Sequence, residues 1–408
     1  MSTLALCTAE TNAQAEQDRA WRFRQVAANF SFQNEAAPIH FRQLQNLYPN
    51  RKIESAHGAP LPLSKAPLET DLITYRYKDK ESTLQEYLTR RRTTGFLVLK
   101  DGKIAHESYF YGNSERAASI IFSASKSVIS LLVGIAFDQG LLKNVDDPIT
   151  DYLPELKGSA FDGASIKNVL QMTTSLYIEG ANHGVNEPGR DIRNATAISL
   201  AYGQGDLRTQ PKTAKRKPGK MHGQTWEYLN TNTQALTVLV ERVSGLTVSE
   251  FAAKHLWRRI GTEQQAFWLT DRTDDAQAIE HGYMGFIASL RDLGRLGMML
   301  ANEGRWEGQQ VVSSQWLKES TTNDNPAVTS VSGHTIMDYG YQWWLPRGDA
   351  GEFMAVGIGG QFIYGNPSQQ VVIVQTSADP QYNSLSKEES VYLYRAIVSA
   401  LSSDTAKG

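Results

Sequence analysis

The sequence predicts an α+β fold in which the two ends of the chain build one sheet and the middle forms a mostly helical lobe. Three observations predict it. Residues 95–112, GFLVLKDGKIAHESYFYG, are two β-rich runs joined by Asp101-Gly102, a dipeptide that favours tight hairpin turns. From Gly340 onward β-rich runs return as YGYQWWL, FMAVGI, QFIYG and QVVIVQT, separated by Gly, Pro and Asn. Between these blocks apolar residues recur at helical spacing. Strands so distant in sequence meet only through tertiary packing, so a cleft is expected where the lobe meets the sheet.

The chain has 408 residues, enough for a large core, and its 41% hydrophobic and 21% charged content is ordinary for a globular protein. A net charge of −2 supplies no global basic field for nucleic acid. The single cysteine, Cys7, forms no internal disulfide, and no Cys/His cluster has zinc spacing. No run of 18 apolar residues predicts a membrane span.

Taken in order, the start MSTLALCTAETNAQAEQ carries Ala13-Gln14-Ala15, which resembles a signal-peptidase site but lacks a basic leader. A cytoplasmic protein is expected as the sequence stands, and a periplasmic one if residues 1–15 are a trimmed export signal. Helical stretches at Arg22 to Ala28 and His40 to Leu47 lead into Pro/Gly-bearing loops through Pro67, with no visible chemistry. Residues 1–83 are expected to form an N-terminal extension and 84–405 the catalytic domain. Its sheet part is 84–125 with 283–405, and its helical lobe is 126–282. A helix at Ser82 to Arg91 precedes the hairpin.

In IFSASKSVISLLVGIAFDQG, residues 121–140, Val128, Leu131, Leu132, Ile135 and Ala136 form a buried helical face and Gly140 supplies the stop. A second helix lies in TNTQALTVLVERVSG, where Thr231 or Asn232 is expected as the cap and Gly245 as the end. Further helices are expected at 247–259, 288–301, 314–320 and Lys387 to Leu401. Tyr341, Trp343 and Trp344 read as alternating core and surface positions of a strand.

Ser123 and Lys126 stand three residues apart at the start of the first clear helix, so both project from one face. A serine hydroxyl becomes a nucleophile when a neighbouring base takes its proton, and a lysine is such a base only where burial lowers its pKa. The helix start adds N–H donors and a positive dipole end beside Ser123. An isolated Ser-x-x-Lys is commonly an N-cap serine and a snorkelling surface lysine. The copy at Ser384 to Lys387 is read as surface. Tyr228-Leu229-Asn230 precedes the second helix. Tyr-x-Asn also occurs at Tyr48, Tyr111 and Tyr364, so order and setting single out Tyr228.

With these pieces in place the sequence resembles the serine β-lactamase and penicillin-binding-protein superfamily, in its class C, family VIII esterase and 6-aminohexanoate-dimer hydrolase branch. The resemblance runs from about 84 to 380 through FSASKS, VDDPITDYLPEL, SIKNVLQMTTSL, YLNTNT, LRDLGRLGMMLANEGRW and VGIGGQFIYGNP. It implies a β-lactamase-like form, an antiparallel sheet flanked by helices with the active site in the cleft beside a helical lobe.

By the same resemblance Ser123 is the acylated nucleophile, Lys126 its proton partner, Tyr228 a group that takes and returns protons, and Asn230 a substrate contact. Coupled groups leave the division of the base role between Lys126 and Tyr228 open. The family's Lys-Thr-Gly strand corresponds to Ala355-Val356-Gly357, so its carboxylate-binding cation is missing. Lys212-Thr213-Ala214 precedes Tyr228 and is in the wrong order. Gly357, Ile358 and Gly359 are expected to contact substrate, the Ile358 amide joining that of Ser123 in an oxyanion hole. Taken alone, those glycines read equally as a strand bend.

The expected activity is hydrolysis of small esters or linear amides through an acyl-enzyme, with no cofactor or metal and no nucleic-acid partner. β-Lactamase or D-alanyl-D-alanine carboxypeptidase activity is the alternative, and a catalytically silent peptide- or cell-wall-binding relative a second. The oligomeric state is not set by the sequence. The basic run RTQPKTAKRKPGK, residues 208–220, reads as a solvated loop or, through Lys215, Arg216 and Lys217, as a substitute for the missing cation.

Overall fold

The computed structural model describes residues 17–18, 20–56, 63–66, 73–177, 192–348 and 350–405. The Ala13-Gln14-Ala15 sequence and residues 180–191 lie outside the described residues. The strands that position the site are β1 (Asn50–Ile53), β2 (Thr93–Lys100), β3 (Lys103–Tyr109), β4 (Ala118–Ile120), β5 (Ala266–Leu269) and β6 (Phe286–Ser289). They continue as β7 (Met337–Tyr339), β8 (Trp344–Pro346), β9 (Phe353–Gly357), β10 (Gln361–Asn366) and β11 (Val371–Ser377). The helices used below are α1 (Leu84–Arg90), α2 (Ser125–Asp138), α3 (Asn230–Ser244), α4 (Leu290–Ala301) and α5 (Ser384–Thr405); Ile192–Tyr202, Val248–Ala252 and Ser314–Ser320 are helical as well.

Asp101 and Gly102 both take positive φ, 50° and 73°, as a tight hairpin turn demands, and the hairpin brings β2 beside β3. The runs after Gly340 then add to β2, giving a seven-stranded antiparallel sheet of order β7-β8-β9-β10-β11-β2-β3. Alternation along these strands selects between two buried faces. Leu97, Leu99, Ile363, Val372 and Val374 join one core, which takes in Leu293 and Leu296 of α4. Phe96, Val98, Phe362, Tyr364 and Ile373 join the other, shared with Val391, Tyr394 and Ile397 of α5. Helices on both sides explain why the strands read as nearly continuous apolar runs.

A second sheet of order β1-β5-β6-β4 draws in Asn50–Ile53, which pair with Ala266–Leu269. Residues from the segment before 84 therefore lie in the same sheet as β4, the strand that leads to Ser123. The expected helix over His40 to Leu47 is two short turns, Ala37–His40 and Leu44–Leu47.

Helix α2 is buried all round from Ser125 to Ala136, more completely than one apolar stripe requires. Gly140, at φ +70°, follows its end, and its N–H donates to the Phe137 carbonyl at 2.8 Å. Helix α3 packs beside it in the helical lobe. Neither Thr231 nor Asn232 caps α3: Leu229 holds that position without a side-chain bond. Thr231 instead donates to Gln210 Oε1 at 2.9 Å, and Asn232 Oδ1 accepts from Thr174 at 2.9 Å, so both side chains are spent inside the lobe. Among the described residues no helix is long and apolar enough to cross a membrane.

Candidate active site

Ser123 lies in a short 3-10 turn, Phe122–Ala124, between β4 and α2. Ser125 fixes the turn by donating to the Phe122 carbonyl at 2.6 Å and accepting from the Phe286 N–H at 3.0 Å. Phe122 itself sits at φ +45°, a left-handed conformation that costs a bulky residue roughly 1–3 kcal/mol and is retained only where the surroundings over-determine it. The next turn begins α2, so Lys126 lies one turn above Ser123 on the same face.

The structure brings Ser123, Lys126 and Tyr228 together. Lys126 is 1% exposed, with its Nζ 3.1 Å from Ser123 Oγ, 2.8 Å from the Tyr283 carbonyl to which it donates, and 4.9 Å from the centre of the Tyr228 ring. Among the described residues no carboxylate pairs with it. Burial alone holds its amine well below the usual lysine range, because a charge there has neither water nor a counter-ion. A neutral amine at hydrogen-bond distance from a hydroxyl can accept its proton.

Tyr228 responds to the same burial in the opposite sense. Its phenol is raised above the ordinary value by desolvation, against contacts with Ser123 and Trp344 that pull it down. It is therefore protonated at neutral pH. Its ring packs against Trp226, Tyr339 and Trp344 with centroids 6.0, 6.1 and 5.7 Å away. Asn230 opens α3, half-buried, and among the described residues its side chain makes no hydrogen bond. Ala355 is fully buried inside β9, whose residues Phe353–Gly357 include no lysine or arginine. Gly357 ends β9 against the Ile121 backbone, and Ile358 and Gly359 turn away from it, Ile358 46% exposed and Gly359 at φ +78°.

Two expectations are corrected here. Lys387 is not a surface residue: α5 begins at Ser384, three residues earlier than expected, and Lys387 is 6% exposed with its Nζ 3.3 Å from the centre of the Trp344 ring. Burial draws its amine down to about 7. Tyr341, Trp343 and Trp344 do not alternate between core and surface; all three are buried, because the strand begins only at Trp344 and both sheet faces are covered.

Sequence reasoning missed Tyr283, whose carbonyl holds Lys126 and whose hydroxyl meets Thr196 and, at 3.0 Å, His281 Nδ1. His281, pushed down to about 3 by burial, is neutral there. Gln342 was also missed: its carbonyl accepts from Ser127 at 2.7 Å and its side chain accepts from Thr233 at 2.7 Å, joining α2 and α3. No motif marks either residue, since one acts through a carbonyl and the other through a single turn. Half of the basic run is committed elsewhere, while Lys212, Lys215 and Lys220 are exposed. Lys217 pairs with Glu227, Arg216 donates to the Asp162 carbonyl at 3.1 Å, and Arg208 pairs with Glu241 at 2.7 Å.

An α+β molecule with a serine beside a buried lysine is the form of a serine hydrolase of the β-lactamase type. The chain belongs to the Beta-lactamase family, whose model matches residues 81–393. It is 29% identical over 345 residues to the 6-aminohexanoate-dimer hydrolase of Paenarthrobacter ureafaciens, covering 83% of this chain and 85% of that one. Its fold matches a Bacillus anthracis protein provisionally named a 6-aminohexanoate-dimer hydrolase, with a TM-score of 0.81, 20% identity, and coverage of 91% of this chain and 96% of the other. A family VIII carboxylesterase matches with a TM-score of 0.56 at 17% identity, covering 75% and 92%. The protein is accordingly an enzyme of the serine hydrolase class.

Proposed function

We propose that the protein cleaves small esters or linear amides through an acyl-enzyme on Ser123. The observation that carries this reading is the fully buried, uncompensated Lys126 amine 3.1 Å from Ser123 Oγ. Ser123 Oγ attacks the substrate carbonyl carbon as its proton passes to Lys126 Nζ. The oxyanion is held by the amides of Ser123 and Ile358, with Gly357 and Gly359 shaping the strand end and Asn230 contacting substrate. As the tetrahedral intermediate collapses, the Tyr228 hydroxyl protonates the departing alcohol or amine and is re-protonated from Lys126. Water then attacks the acyl carbon by the reverse route and frees Ser123.

In this division of roles Lys126 is the base and Tyr228 the acid, which follows from the opposite directions in which burial moves the two groups. Residues 84–405 carry the chemical groups, and of the segment before them Asn50–Ile53 pair with Ala266–Leu269. Similarity to a hydrolase of 6-aminohexanoate dimer favours linear amides as well as esters. The neutral Ala355 ranks β-lactams and D-alanyl peptides below both, since it offers no charge-assisted contact to a substrate carboxylate.

Intact-mass measurement after brief exposure to a panel of esters, linear amides and β-lactams tests the reading. An adduct of the ester or amide acyl mass, mapping to the peptide that contains Ser123, is expected. An adduct elsewhere, or from the β-lactams alone, contradicts it.

The pH profile tests the roles. Lys126 must be neutral to act, so kcat/KM on an activated ester is expected to fall with decreasing pH along a limb lying well below the ordinary lysine value of about 10.4. The raised Tyr228 phenol predicts no matching loss at mildly alkaline pH. A limb near the free-lysine value would show the amine to be charged in the resting enzyme.

A further inference from the structure

Phe32 lies far upstream of the catalytic motifs, in a segment with no chemistry of its own, yet its ring touches both sides of the site. On one side it packs against Phe122, centroids 5.3 Å apart, and Phe122 is the residue before Ser123. On the other it covers Gly359, the residue after Ile358, so closely that a methyl group built on Gly359 would overlap the ring. Phe41 supports it from the side at 5.0 Å and also packs edge-on against Phe122 at 5.0 Å.

The segment is held in place independently of the ring. Gln33 donates to the Pro380 carbonyl at 2.7 Å, and Arg92 donates to the Glu35 carbonyl at 2.8 Å. The Gly359 carbonyl in turn accepts from the Asp379 N–H at 3.1 Å, one residue from Pro380. Phe32 is thus a fixed wedge between the Phe122 ring and the Gly359 backbone, two residues that each carry an unusual backbone conformation: Phe122 at φ +45° and Gly359 at φ +78°. The first is strained for a phenylalanine and needs a surrounding that enforces it. The second needs glycine, and only glycine leaves room for the ring.

We propose that Phe32 is a positioning residue that sets the spacing between the Ser123 turn and the Ile358 turn, and through it the separation of the two amides that receive the oxyanion. Oxyanion donors act only at hydrogen-bond distance from the place where charge develops, so a shift of about 1 Å between them costs on the order of 100-fold in rate. The oxyanion exists only once Ser123 has attacked the carbonyl, so the effect falls on the chemical step.

This inference rests on the acyl-enzyme reading above, and the test separates the two. Burst kinetics with an activated ester, followed by intact mass, are measured on the wild-type protein and on Phe32→Ala and Phe32→Leu. The expected result is a Ser123 adduct in all three, an acylation rate about 10- to 100-fold lower in Phe32→Ala with KM within about 3-fold of wild type, and recovery of most of that loss in Phe32→Leu. Rates are compared per folded molecule, so that a simple loss of stability does not register.

Wild-type acylation rate in a folded Phe32→Ala variant, or a change confined to KM, overturns this inference alone. A wild-type protein that gives no Ser123 adduct overturns the mechanism and this inference with it. Should Phe32→Ala not fold, Phe32→Val takes its place under the same outcomes.

Discussion

Replacing Lys126 by methionine is expected to lower kcat/KM by about 10³- to 10⁴-fold and, in the same variant, to raise the unfolding temperature. The loss follows from geometry: Lys126 Nζ is the basic group in contact with Ser123 Oγ, and the Tyr228 phenol, raised by burial, stays protonated at neutral pH. The gain follows from where the amine sits. Its pKa in the folded protein is held well below that of the unfolded chain, so folding at neutral pH strips a proton from the lysine or buries its charge. Between the folded and unfolded values the unfolded state binds more protons, and stability rises with pH through that window until the free amine also deprotonates near about 10.4. Methionine fills a similar volume without that cost, against the loss of one hydrogen bond to the Tyr283 carbonyl. Thermal melts of both proteins across pH check the sign: the advantage of Lys126→Met should be large near about pH 7 and shrink toward about pH 10. A variant that is less stable than wild type at neutral pH would mean that the folded protein holds this lysine charged and compensated.

The same lysine shows how much of the molecule is legible in its sequence. Ser123 and Lys126 could be paired because helical spacing alone places residues three apart on one face, and the apolar run after them announces burial. The Asp101-Gly102 turn and the strands after Gly340 are legible for the same reason, since short-range rules decide a hairpin and a β-rich run, though not the pairing of the two blocks. Long-range consequences were not legible. Lys387 repeats the same Ser-x-x-Lys spacing, and nothing local distinguishes it from a surface lysine; its burial depends on Trp344, brought beneath it by sheet pairing. Thr231 and Asn232 looked like caps because their side chains suit caps, but partners at Gln210 and Thr174 claimed them. Phe32 carried no motif, since aromatic packing leaves no period in a loop.

The second large effect is expected at Gly357. Gly357→Ala should lower the acylation rate by about 10²- to 10³-fold while destabilising the protein by about 1–3 kcal/mol. Gly357 ends β9 opposite Gln361, and the side on which a Cβ would stand faces the carbonyl oxygen of Ile121, two residues before Ser123. A methyl group there would overlap that oxygen. Both partners are backbone, so no side chain can rotate away; relief comes only from moving the strand end and the Ser123 turn apart. That motion separates the Ile358 amide from the Ser123 amide, the two donors assigned to the oxyanion, and leaves Lys126 and Ser123 in their own turn undisturbed. Acylation should therefore slow while the acid limb of the pH profile, which reports Lys126, keeps its position. Gly351, at φ +66° with no atom within 4 Å of its missing Cβ, provides the control: Gly351→Ala introduces backbone strain without a collision and should cost stability but not acylation rate. If Gly357→Ala acylated as fast as Gly351→Ala, the close approach of β9 to the nucleophile turn would be a packing feature, and the oxyanion would have to be held by groups other than the strand-end amide.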